Sequence, residues 1–144
     1  MSSPRPVLAV SVALFRGRDL LLVLRARAPF AGLWSLPGGR VEFAEGLEAA
    51  ARRELLEETG LAAGPLCFVR NHEAIDAANG AHAVIAVFAA LADAGDAGDP
   101  QAGDDAAEAR FVTPAELAAL VAGGQTTAGL AGVVDAARAL LPSG

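Results

Sequence analysis

Three glutamates, Glu54, Glu57 and Glu58, stand three and four positions apart in the run Arg53-Glu54-Leu55-Leu56-Glu57-Glu58. On a helix of about 3.6 residues per turn they fall within roughly 100° of arc, on one face. Stability alone does not ask for this pattern. Like charges at i,i+4 cost roughly 0.2–0.5 kcal/mol, and the helix dipole disfavours anions in the last turn by roughly 0.3–1 kcal/mol each. A hard divalent cation would reverse the sign of both effects, since carboxylate oxygens are the ligands that Mg2+ and Mn2+ prefer. The bland alternative is a solvated acidic helix end, softened by Arg52 and Arg53. Against it, Leu47, Ala50 and Ala51 project from the same side one or two turns earlier. The carboxylates then continue a core-facing stripe, a poor place for uncompensated charge. Arg53, four positions before Glu57, is placed to orient a carboxylate by a charge-assisted hydrogen bond, whereas Glu48 and Arg52 read as an ordinary surface pair.

The element that carries these glutamates is the surest helix in the chain. Glu45 to Glu58 has strong helix formers throughout, no internal proline, and Gly60 where a C′ glycine is expected. Ahead of it, Val7 to Phe15 and Leu20 to Leu24 are apolar runs separated by Arg16-Gly17-Arg18-Asp19, which predicts a β-hairpin. Pro29 to Gly39 is loop-like and ends in Pro37-Gly38-Gly39, whose glycines permit close approaches closed to other residues, and Arg40 to Phe43 can form a short strand. Beyond the helix, Leu66 to Ile75 and Ala83 to Leu91 read as strands flanking the turn-prone Asp76 to Gly80. Asp93 to Asp105, rich in Gly, Asp and Ala, is the best candidate for a mobile loop. Glu108 to Val112 reads as a last short strand. Thr113-Pro114-Ala115-Glu116 has the N-cap, N1 proline and N3 glutamate of a helix start, and Gly129 to Leu141 is an amphipathic terminal helix.

At 144 residues, with 53% hydrophobic and 19% charged residues, the chain has the material for one packed core, so a single domain over residues 1–144 is expected. The start Met-Ser-Ser-Pro-Arg-Pro has no charged stretch leading into an apolar region, and no apolar run approaches the roughly 18 residues of a membrane span. The expectation is a cytoplasmic, soluble protein with no membrane partner. A net charge of −6 opposes sequence-independent binding to nucleic acid. All eleven basic residues are arginine, which rules out a Walker-type phosphate loop and a Schiff base, both of which need an ammonium group. Cys67 is the one thiol, so no intrachain disulfide forms, and a buried, inert cysteine is the favoured reading.

Gly39, Glu45 and Arg53-Glu54-Leu55-Leu56-Glu57-Glu58-Thr59-Gly60-Leu61 match the Nudix box at every defined position and spacing. The preceding Trp34-Ser35-Leu36-Pro37-Gly38-Gly39, and Ala107 to Val112 with Pro114 to Leu117, also resemble the flanks usual in that family. The resemblance implies an α/β/α sandwich with a central mixed β-sheet, and a hydrolase of the MutT-like kind that uses Mg2+, with Mn2+ as an alternative. It makes Glu54, Glu57 and Glu58 metal ligands or water activators, with the carbonyl of Gly38 completing the metal site and Glu45 structural. Glu54 is the leading candidate for the general base, Arg53 is its catalytic neighbour, and Asp104, Asp105 and Glu108 are candidate contributors from the opposite side. The implied reaction is cleavage of the diphosphate linkage of a nucleoside diphosphate derivative, such as a nucleoside triphosphate or ADP-ribose, by water attack on phosphorus. The alternative is a non-catalytic Nudix-like nucleotide-binding or sensor domain, which usually shows a damaged box, unlike this one.

On the substrate side, Arg25 and Arg27 at the end of the second strand could each reach a phosphate by a bidentate contact. Phe30 and Trp34 could each stack on a base, with core packing an equal alternative. His72 and His82 have no zinc-binding setting and read as ordinary strand or loop residues. The stripe Leu130, Val133, Val134, Ala137, Leu140 and Leu141 packs either on its own sheet, the favoured reading, or on a second copy in a homodimer.

Overall fold

A computed structural model of the chain describes residues 4–93, 95, 98–103 and 105–142. Its strands are β1 (Val7–Arg16), β2 (Asp19–Arg25), β3 (Trp34–Ser35), β4 (Gly38–Arg40), β5 (Cys67–Asp76), β6 (Ala81–Leu91) and β7 (Ala106–Val112). Its helices are α1 (Leu47–Thr59), α2 (Pro114–Ala122) and α3 (Leu130–Leu140), with a 3-10 turn at Ala77–Asn79. The strands form one mixed sheet in the order β3-β2-β1-β6-β5, with β4 paired to β1 and β7 to β2. The β1–β6 pair is parallel, from Val7 opposite Ala83 to Phe15 opposite Leu91, and the other pairs are antiparallel.

Period-2 alternation in the strands dictates the layers, because successive side chains point to opposite faces. Val10, Val12 and Leu14 of β1, Leu21 of β2 and Ala86, Phe88 and Ala90 of β6 pack against Ala50, Ala51 and Leu55 of α1. Their neighbours Ala13, Phe15, Leu20, Leu22, Val87 and Ala89 pack on the other face against Leu117 of α2 and Leu130, Val133, Val134 and Ala137 of α3. The result is the α/β/α sandwich expected, with helices on both faces of a mixed sheet. The stripe of α3 is thus spent on the chain's own sheet, while Leu140 remains half exposed. No helix among the described residues is long and apolar enough to cross a membrane.

Several elements differ from the sequence reading for identifiable reasons. The short strand is Gly38–Arg40 instead of Arg40 to Phe43, because β4 takes its register from Ala9, Val10 and Ser11 of β1, a long-range pairing that local composition does not encode. Helix α1 begins at Leu47 and not at Glu45, since Glu45 turns its carboxylate back onto the Glu42 N–H and Gly46 becomes the N-cap. Gly60 ends the helix as expected, and Thr113 and Glu116 form a complete capping box on α2. Arg52 does not pair with Glu48. It donates to the carbonyls of Ala63 and Gly64 just beyond the helix, at 2.9 and 3.2 Å. Cys67 is partly exposed on β5 instead of buried, because β5 is an edge strand. In the stretch read as a mobile loop, Ala94, Asp96, Ala97 and Asp104 lie outside the described residues, while Gln101 and Gly103 are anchored by backbone hydrogen bonds to the end of α1.

Candidate active site

The packing of α1 separates the three glutamates. Ala51, Leu55 and Glu58 face the sheet, so Glu58 is buried at 8% exposure. The Glu54 side chain is 16% exposed, whereas that of Glu57 is 59% exposed. The expected single face is therefore a pair one turn apart, a buried Glu58 and a half-buried Glu54, with Glu57 on its rim.

The glycine turn closes over this pair. The Gly38 N–H donates to Glu58 Oε2 at 2.7 Å. At Gly39 a Cβ would overlap the Glu54 carboxylate, so a side chain there would push that carboxylate out of its place. Arg53 is the organiser of the other side. It grips Glu45 with two hydrogen bonds, at 2.7 and 2.8 Å, and donates to Glu54 Oε1 at 2.8 Å, Glu57 Oε2 at 3.3 Å and the Arg40 carbonyl at 3.0 Å. Such fork-to-fork contacts fix orientation as well as adding energy. Glu45 thereby holds Arg53 in place.

Proton affinities follow from these surroundings. The Arg53 guanidinium, then the Glu42 N–H, hold the Glu45 carboxyl down at about 2. Burial pushes Glu58 up to about 7, with the Glu54 and Asp105 charges adding to the rise and the Gly38 N–H and Arg25 opposing it. Burial also raises Glu54, against the pull of Arg53. Arg53 itself is raised by its bonds to Glu45 and Glu54, so it stays charged. Two desolvated carboxylates that resist ionisation side by side are a site that a cation would relieve.

Among the described residues, no three acidic, thiol or imidazole side chains already converge as a metal cage. The donor set nevertheless fits Mg2+ or Mn2+. Such ions are usually held by one or two carboxylates and complete their shell with waters and substrate phosphates, and Glu54 and Glu58 provide two hard oxygen donors beneath the glycine turn.

The other predicted site residues divide. Arg25 is close enough for its charge to act on Glu58, and its Nε donates to the Pro29 carbonyl at 2.8 Å. Arg27 is exposed and pairs with Asp105 at 3.4 Å. Phe30 is half buried on the loop after β2, at a φ of 67°. Trp34 does not face the site as a stacking platform: at 7% exposure it packs among the residues of the α2 and α3 face, with the Arg110 guanidinium 5.0 Å from its ring. Glu108 is exposed on β7 opposite Leu24, and Asp104 lies outside the described residues. His72 packs beside Gly129 at the start of α3, and His82 sits in β6 opposite Ile75. The sequence reading gave Arg52 a surface pairing with Glu48 and passed over Gly103. No local signal marks either one, since each acts on backbone that is brought near only by the fold.

A family model described as the NUDIX domain matches residues 5–129. ADP-ribose pyrophosphatase of Methanocaldococcus jannaschii is 36% identical over 106 residues, 74% of this chain and 61% of that protein. A putative 8-oxo-dGTP diphosphatase of Bacillus subtilis is 50% identical over 52 residues, 36% of this chain and 33% of that protein. The matched stretch thus spans less than two thirds of either curated relative. Among solved structures, a MutT NUDIX hydrolase from Burkholderia pseudomallei has a TM-score of 0.68 at 32% identity, covering 85% of this chain and 99% of that one. A NUDIX hydrolase from Nitrosomonas europaea has a TM-score of 0.79 at 23% identity, covering 94% and 90%, a likeness of fold.

Proposed function

The chain belongs to the Nudix family, and from that membership we propose that it acts as one domain that hydrolyses the diphosphate linkage of a nucleoside diphosphate derivative, with Mg2+ or Mn2+ held at the Glu54–Glu58 pair. The observation that carries this reading is the pair itself, two desolvated carboxylates under a glycine turn with raised proton affinity. Glu54 and Glu58 would hold the cation, with Glu57 on the rim and the Gly38 carbonyl as further donors. When bound, the cation supplies neutralisation of the diphosphate, polarisation of phosphorus and a lowered pKa for water.

The chain's own groups do the rest. Glu54 takes the proton of the attacking water as its oxygen bonds to phosphorus and the bridging P–O bond breaks, and its burial suits it to hold that proton. Arg53 keeps the Glu54 carboxylate aimed and remains charged throughout. Arg25 and Arg27, at the end of β2, receive the substrate phosphates, and Phe30 offers an aromatic face to a base. The similarity to an ADP-ribose pyrophosphatase favours ADP-ribose as the first substrate to try, with nucleoside triphosphates next.

The test is product release from ADP-ribose, nucleoside triphosphates, nucleotide sugars and dinucleoside polyphosphates, with Mg2+, with Mn2+ and with chelator. Chelator-sensitive turnover of any of them is the expected outcome. Silence across the panel, in protein shown to be folded, would contradict the hydrolase reading and leave a nucleotide-binding domain.

A further inference from the structure

Helix α1 ends on acidic residues, with no basic residue in its last turn, and its terminal carbonyls need donors from elsewhere. The Gly60 N–H serves Leu56, and donors to the Glu58 and Thr59 carbonyls come from a distant stretch of chain between β6 and β7. The Gly103 N–H donates to the Glu58 carbonyl and the Gln101 N–H to the Thr59 carbonyl, both at 2.8 Å. A Cβ on Gly103 would overlap the Glu57 carbonyl oxygen and lie 3.1 Å from the Glu58 Cα. These are backbone atoms of the carboxylate helix and cannot swing aside. Two residues later the same stretch reaches the arginine end of β2, where the Asp105 carbonyl accepts from the Ala26 N–H at 3.2 Å and the Asp105 carboxylate pairs with Arg27 at 3.4 Å.

We propose that Gly103 is a positioning residue of the site: by seating the stretch on the end of α1, it sets the spacing between the carboxylates of α1 and the arginines of β2. One end of the stretch is bonded to the backbone of Glu58 itself, and the other to the residue between Arg25 and Arg27. The spacing it sets is the one that a diphosphate must span if its phosphorus is to meet the base while its other oxygens meet an arginine. The role belongs to the hydrolase proposed above and rests on that reading for its kinetic consequence. The seat itself does not depend on it.

The test is Gly103→Ala beside Gly95→Ala, a substitution in the same stretch whose new methyl, among the described residues, meets Asp93 Oδ1 at an ordinary 3.6 Å. Steady-state kinetics are paired with amide hydrogen exchange. A small misplacement of reacting groups acts chiefly on the chemical step, so kcat of Gly103→Ala should fall about 10–100-fold with KM changed by less than about threefold. The amides of Gln101 and Gly103, hydrogen-bonded to the end of α1 in the wild type, should exchange freely in the variant while those of β1 and β6 stay protected. Gly95→Ala should match the wild type in both readouts. Retained protection at 101 and 103, an unchanged kcat in an unseated variant, or loss of protection spreading through β1 and β6 would each overturn the proposal. A wild type that hydrolyses nothing would overturn only the hydrolase reading, and exchange would still decide whether the seat depends on glycine.

Discussion

Arg53 and Arg27 carry the same charge and meet the site under opposite conditions. On the floor, Arg53 is held by Glu45, Glu54, Glu57 and the Arg40 carbonyl together. On the rim, Arg27 has an ion pair with Asp105 in which both side chains are largely exposed, 74% and 67%. An exposed pair of that kind is worth about 0–1 kcal/mol, so a substrate phosphate can displace it at little cost, whereas nothing the substrate offers would pull Arg53 away. The floor is organised before a ligand arrives, as chemistry that relies on fixed orientation requires. The rim is left adjustable, and under the proposed function it is the part that would tell one diphosphate from another.

The largest effect that would sharpen this contrast is on the floor. Glu54→Gln should lower kcat about 10²–10⁴-fold with little change in KM. Its melting temperature should hold, because Arg53 keeps its grip on Glu45. A loss below tenfold would remove Glu54 as the base.

An intermediate effect is the dependence of stability on pH, measured as melting temperature in chelator. The Glu45 carboxyl is lowered on folding from an ordinary 4.5 to about 2, so its contribution is present above pH 4.5 and is lost as pH falls toward 2. Glu116, lowered by the Thr113 N–H, acts in the same sense. Glu58 is raised to about 7. The folded state therefore binds more protons than the unfolded one between pH 4.5 and 7, and stability falls as pH rises through that window. The melting temperature should climb from pH 2 to 4.5 and then decline toward 7, with Mg2+ or Mn2+ lifting the declining arm. A flat or rising curve between 4.5 and 7 in chelator would mean that the floor carries no desolvated carboxylate.

The smallest effect is on the rim. Arg27→Ala should raise KM by no more than about fivefold at unchanged kcat, the scale of a single exposed charge. A large fall in kcat instead would erase the distinction between floor and rim.

What could be read from the sequence follows the same division. The carboxylate helix, its Gly60 stop, the hairpin and the capping box at Thr113 are local patterns in which spacing and caps suffice. The separation of Glu57 from Glu54 and Glu58 depends on the angle at which α1 meets β1, and no periodicity within the helix contains it. The register of β4 and the burial of Trp34 likewise depend on partners far away in the chain, and the use of Arg52 on Ala63 and Gly64 depends on how the chain turns back after Gly60. Gly103 was hidden most completely, because a glycine in a run of Gly, Asp and Ala looks like slack until the carbonyl beneath it is known.

The most direct test of the central claim, that Glu54 and Glu58 hold the cation, is a titration of Mn2+ followed by electron paramagnetic resonance in the wild type and in Glu58→Gln, with turnover measured on the same samples. The account predicts a bound-ion signal in the wild type that is lost or weakened at least tenfold in the variant, with turnover falling alongside it. Equal Mn2+ binding and equal turnover in the two proteins would contradict it.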